Sequence, residues 1–208
     1  MSGTMETSFF RDREMFEALR EIVLPRMIAL NADARRLRIW CAGCSTGQEA
    51  YSMSLLLREH FAGALAGWDV KVVATDLAED AVDYARRGRY RRPEVNRGLT
   101  AKMLVKCFLR EDEDWEIAPE LRAICEFRQA DVCEPMTGAE EFDLVLMRNV
   151  LLFLPSHERA RAFENVRHRM DPSGVLVLGQ AEQAEDLTNL FEADYLRGHN
   201  FYRLAKQG

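Results

Sequence analysis

Four short apolar runs, spaced by helical segments, constrain this chain more than any other feature. They are LRIW within 37–42, VKVVA within 69–76, FDLVLM within 142–149 and VLVLG within 175–182. Each reads as a near-continuous apolar run, as expected of a strand covered on both faces. Helical patterns lie between them at 48–62, 78–87 and 155–170, the last starting at Pro155-Ser156-His157-Glu158. Strand and helix in alternation predict parallel strands joined by crossover helices, a doubly wound α/β sheet. A first helix within 12–30 carries Phe16, Leu19, Ile22, Val23 and Met27 at helical spacing, and Pro25 should kink or end it. DPSG at 171–174 reads as a turn, and NFYRL at 200–204 as a last strand.

The rhythm breaks at 88–130, between the helix that follows the second strand and the next clear strand. This segment holds GRYRRPEVNR, a helical piece near 99–109, the acidic run REDEDWE and then CEFRQAD. It reads as a small insert on the edge of the sheet, within one domain spanning 1–208. The chain carries 28 Lys and Arg against 34 Asp and Glu, a net charge of −6. That balance argues against broad binding of nucleic acid, which needs a basic face. No apolar h-region opens the sequence, and no run reaches the roughly 18 apolar residues a bilayer span requires. Five cysteines without a secretion signal point to reduced thiols in the cytoplasm.

CAGCSTG at 41–47 joins the first strand to the next helix. In open α/β sheets, ligands bind at the carboxyl ends of strands beside the switch point. Gly43 and Gly47 let the backbone turn sharply and approach a ligand closely. The spacing G-x-x-x-G is neither the dinucleotide fingerprint nor a P-loop, so a phosphate-free nucleoside cofactor fits better than a nucleotide. The second strand ends on Asp76, where a carboxylate can accept hydrogen bonds from two ribose hydroxyls. Loop and acid together suggest S-adenosylmethionine. Cys41 and Cys44 are half of a zinc site, and His60, His157, His168 and His199 lack ligand-like spacing. The pair reads as small residues in a tight loop, with no metal expected.

TSFFRD (7–12), AGCSTGQEAYS (42–52), ATDLAEDAVDYARRGRY (74–90), FDLVLMRNVLLF (142–153) and DPSGVLVLGQAE (171–182) stand in order along the chain. In these motifs the sequence resembles the catalytic domain of the CheR-type chemotaxis receptor methyltransferases. The resemblance implies a class I S-adenosylmethionine-dependent methyltransferase with a seven-stranded, mostly parallel sheet and one reversed strand near the C-terminus. It implies O-methylation of glutamate carboxylates on a chemoreceptor or related signalling protein, with S-adenosylhomocysteine as product and no nucleic acid or membrane insertion. The alternatives are a methyltransferase of a small carboxylate or non-receptor protein, and a cofactor-binding signalling module without turnover.

By the same resemblance, Arg11 is the catalytic candidate over the site. The cofactor is expected against Ala42, Gly43, Cys44, Ser45, Thr46, Gly47 and Gln48, with Glu49 beside them. Asp76 should hold the ribose, Asp131 and Val132 the adenine, and Asn149, Val150 and Phe153 the methionine end. Phe153 stands where the family commonly has tyrosine, GQAE where it has a GHSE-like segment, and Gln48 where some members have glutamate. Members usually carry an N-terminal helical docking domain, which this sequence is expected to lack. Arg89, Arg91 and Arg92, in a run that also holds Arg86, Arg87 and Arg97, are then candidates to meet an acidic substrate helix.

Overall fold

The computed structural model describes residues 7–182 and 189–205. The start of the sequence at 1–6, where a leader was sought, lies outside them.

The chain begins with α1 (Arg13–Ala18), a π-helical turn at Leu19–Val23, and α2 (Leu24–Leu30). Pro25 sits in the first turn of α2. The wider turn before it absorbs the missing amide hydrogen, so the proline restarts the helix. Then follow β1 (Arg36–Ala42), α3 (Gln48–Phe61), β2 (Asp69–Asp76) and α4 (Glu79–Arg87). Next come β3 (Arg89–Arg91), α5 (Arg92–Val95), α6 (Ala101–Cys107), β4 (Phe108–Glu111), β5 (Asp114–Ile117) and α7 (Pro119–Arg122). The remainder is β6 (Cys125–Gln129), β7 (Phe142–Met147), α8 (Ser156–Arg169), β8 (Met170–Leu178), β9 (Phe191–Leu196) and β10 (His199–Leu204).

Seven strands form one sheet in the order β6-β2-β1-β7-β8-β10-β9. All contacts from β6 to β8 are parallel, and β10 runs antiparallel to both its neighbours. The reversed strand therefore stands where the motifs implied. Strand β1 shows why the runs carry little polar character. Leu37, Ile39 and Cys41 face a core shared with α1–α3, while Trp40 and Ala42 face a second core shared with α8. Both faces are dry, so almost every position is apolar.

Two segments differ from the sequence reading. CEFRQ is no part of an edge insert: it is β6, paired with β2 from Val72–Cys125 to Asp76–Gln129. Only one of its faces meets the core, through Phe127, which is why its pattern is mixed. DPSG does not break the chain before the strand. Met170 already pairs with Phe142, and the register slips before Val175 meets Leu144, so the four residues form an irregularity inside β8. Between α4 and β6, strands β3, β5 and β4 make a separate antiparallel sheet.

Candidate functional site

The cleft opens at the carboxyl ends of β1 and β7, where the chain departs in opposite directions across the sheet. Its walls include Ser8, Arg11, Ser45, Glu49, Arg148 and Asn149. Three elements build it: the glycine loop after β1, the turn after β7, and a strap at 7–12 that crosses in front.

The loop is tied to the end of β2. Gly43 and Cys44 both donate their amides to the Thr75 carbonyl (2.8 and 2.9 Å), Ser45 donates to Asp76 Oδ2 (2.7 Å), and Gly47 donates to Cys44 O (2.9 Å). Gly43 and Gly47 have φ of 77° and 92°, and a Cβ on Gly43 would collide with Val150. These four amides are spent inside the protein rather than aimed at a ligand. A phosphate would need such amides free, whereas a nucleoside does not. The remaining lone pairs of Asp76, whose Oδ1 also accepts from Ala78 N (3.0 Å), suit two hydroxyl donors. The donor set thus fits S-adenosylmethionine. Burial first, then the charges of Asp76 and Glu49, push the Cys44 thiol up; burial also raises Cys41 well above its ordinary value. Both pack as protonated thiols.

The turn after β7 rests on two buried charges that sequence reasoning did not assign to the site. Arg148 donates from Nη1 to Glu49 Oε2 (2.6 Å) and from Nη2 to Arg11 O (3.0 Å) and the Asp12 carboxylate. Burial pushes the Glu49 carboxyl up, and Arg148 offsets only part of that. Burial draws the Arg148 guanidinium down, but Glu49 and Asp12 outweigh it and hold it up. Glu182 accepts three backbone amides, from Asn149 (2.6 Å) and Gly179 (2.8 Å) on Oε2 and from Leu151 (2.7 Å) on Oε1. Asn149 is thereby held at φ 60° where the chain lines the cleft. A charged residue directly after an apolar run, such as Arg148 after FDLVLM, was the available signal, because a buried charge requires partners.

The strap is fastened at both ends. Phe9 lies edge-on to Tyr90 and Phe108 of the small sheet, at 5.0 and 5.7 Å between ring centres. Phe10 donates its amide to Ser52 Oγ (2.9 Å). The Tyr90 hydroxyl in turn donates to Thr46 O (2.7 Å), joining the small sheet to the glycine loop.

Of the expected residues, Arg11, Gly43, Cys44, Ser45, Glu49 and Asn149 share the cleft. Asp76 supports its rim through Ser45, and Val150 packs under Gly43. The others stand elsewhere. Ala42 and Val132 belong to the second core. Gly47 turns toward Ala85 and Tyr90, and Gln48 is buried between Thr46 Oγ1 (2.8 Å) and Glu94 Oε1 (3.4 Å). Asp131 accepts from Cys133 N (2.8 Å) at the end of β6. Phe153 follows Asn149 on a short 3-10 turn and is 66% exposed, outside the lining residues. Arg89 is paired with Asp114 (3.1 Å), while Arg91 and Arg92 are exposed.

Numbered by chain order among these seven, the strands run 3-2-1-4-5-7-6 across the sheet with the seventh reversed. With the glycine loop after the first and an acid ending the second, this is a class I S-adenosylmethionine-dependent methyltransferase. The sequence matches the family described as CheR methyltransferase, SAM binding domain, over residues 5–197, and the chain belongs to that family. It is 34% identical over 194 residues to chemotaxis protein methyltransferase 1 of Pseudomonas aeruginosa, covering 91% of this chain and 70% of that protein. It is 31% identical over 192 residues to chemotaxis protein methyltransferase Cher2 of Pseudomonas putida, with the same coverage of 91% and 70%. A solved structure, the TehB-like SAM-dependent methyltransferase from Corynebacterium glutamicum, is 17% identical and covers 93% of this chain and 99% of its own, at a TM-score of 0.49. Among the described residues, no helix is long and apolar enough to cross a membrane.

Proposed function

We propose that this methyltransferase esterifies glutamate side chains of a chemoreceptor or related signalling protein. The observation that carries the reading is the state of the cleft's carboxylate. Glu49 is bound to Arg148, so it serves as a structural ion and is poorly placed to take a proton from an acceptor. A carboxylate acceptor needs no such help, because it is ionised at neutral pH. The names of the relatives from Pseudomonas aeruginosa and Pseudomonas putida point the same way.

Bound S-adenosylmethionine supplies an electrophilic sulfonium methyl. In the proposed assignment, Asp76 takes the ribose hydroxyls, and Glu49 and Arg11 face the ammonium and carboxylate of the methionine part. Asn149 supports that part from the β7 side. Arg11, exposed at the mouth, also favours an incoming anion. Orientation supplies most of the acceleration, an effect worth on the order of 7–11 kcal/mol in well-aligned reactions. Shielding from water adds to it, since opposite charges cancel as the methyl moves. Arg91 and Arg92 are proposed to meet the acidic surface of the substrate.

The test is transfer of labelled methyl from S-adenosylmethionine into receptor-rich membranes, read as alkali-labile methanol. Label lost on Asp76→Ala is the expected result. Absence of label with a chain that binds the cofactor overturns the receptor assignment.

A further inference from the structure

Arg148 brings three separated pieces of chain to one planar group. It directly follows β7, and its side chain is only 3% exposed. One edge of the guanidinium holds Glu49, in the first turn of α3; the other holds the carbonyl of Arg11 and the carboxylate of Asp12 on the strap. Phe16 covers its face, 5.9 Å away. The strap needs such a hold. Phe10 and Asp12, on either side of Arg11, have φ of 49° and 62°. Left-handed conformations at non-glycine residues persist only where the surroundings impose them. Two such bends in three residues set where Arg11 stands at the cleft.

We propose that Arg148 is a positioning residue for methyl transfer, fixing Arg11 over the cofactor through the strap while orienting Glu49 from below. This rests on the reading of the cleft as the cofactor site. A buried ion network of this kind adds little net stability over apolar packing, so its geometry is the more telling feature. Lysine is a poor substitute, because a compact ammonium does not reproduce the fork that engages both sides.

The test is the affinity of the full chain for S-adenosylhomocysteine by titration calorimetry, far below the melting point of each variant. The set is wild type, Arg11→Ala, Arg148→Lys and their combination. Arg148→Lys is expected to weaken binding about tenfold. Arg11→Ala is expected to weaken binding in the wild-type background and to add less than about twofold once Arg148 is changed. A lowered melting temperature with unchanged affinity in Arg148→Lys overturns the inference. So does an Arg11→Ala effect that is absent, or equal in both backgrounds. Should Arg148→Lys fail to fold, Asp12→Asn replaces it in the cycle with the same expectations, since asparagine tolerates the left-handed backbone. A wild-type chain that does not bind S-adenosylhomocysteine overturns the cofactor reading itself, a result distinct from those above.

Discussion

Glu182 offers the sharpest test of how the turn after β7 is held. Its side chain is buried, and its charge is balanced by three amides from two strand ends. A hydrogen bond to a charged group contributes about 1.5–3 kcal/mol, and a buried amide left bare costs about 1–3 kcal/mol. Glu182→Ala removes all three acceptors. The Leu151 and Gly179 bonds are buried, whereas the one to Asn149 is only partly so and can turn to water. Allowing for that relief and for the cost of burying the carboxylate, the loss should be about 3–5 kcal/mol. Glu182→Gln keeps an oxygen that can serve Asn149 and Gly179 but turns an amide group toward Leu151 N–H, so it should lose about 1–2 kcal/mol. Urea denaturation with the slope checked for constancy gives both numbers. The same variants should lose cofactor affinity in the same order, because Asn149 relaxes. If Glu182→Ala unfolds within about 1 kcal/mol of wild type, or if Gln costs as much as Ala, the reasoning fails.

Three further outcomes follow from geometry. Asn149→Ala should lose about 1 kcal/mol more stability than Asn149→Gly, since only glycine accepts φ 60° freely, while both lose the side chain at the cleft and bind S-adenosylhomocysteine equally weakly. Gly98→Ala should both destabilise the chain, by about 1–3 kcal/mol, and weaken the cofactor. Gly98 has φ 97°, and a Cβ there would strike the Phe9 carbonyl of the strap; calorimetry and melting of the variant check the pair of effects. Glu126, bonded by Arg128 and Lys71 across β6 and β2, is lowered from 4.5 to about 2. A depressed acid stabilises above its unfolded value, so this contribution is lost as pH falls from 4.5 towards about 2. Its side chain is 40% exposed, so Glu126→Gln should remove less than about 1 kcal/mol of that acid sensitivity, read from melting curves against pH.

The central strands were legible because burial on both faces writes itself as uninterrupted apolar residues. The edges were not. In β6, Glu126 and Arg128 alternate with Phe127; in β9, which escaped notice, FEADYL looks like loop because only one side packs. Strand β3 is three residues long, too short for any period. At the site, the glycine loop and Asp76 could be read because they are local turns and strand ends. Arg148 and Glu182 could not be placed so, since Arg148 meets Glu49 and Asp12 across 99 and 136 positions, and Glu182 meets Asn149 across 33. Such partnerships follow from the crossing of the chain at the switch point, which no window of neighbouring residues contains.

Tyr90 bears on how far this architecture is modular. Its ring packs against Phe9, Tyr51 and Tyr84, and its hydroxyl is committed to the glycine loop. The small sheet is therefore a poor cassette. An exchange of residues 88–117 between relatives would also disturb the glycine loop unless Phe9, Tyr51 and Tyr84, which pack on the tyrosine, travel with it. Freedom to vary lies on the outward side of β4, where Leu109 is half exposed. Substitutions there leave Tyr90 and its hydrogen bond to the glycine loop untouched.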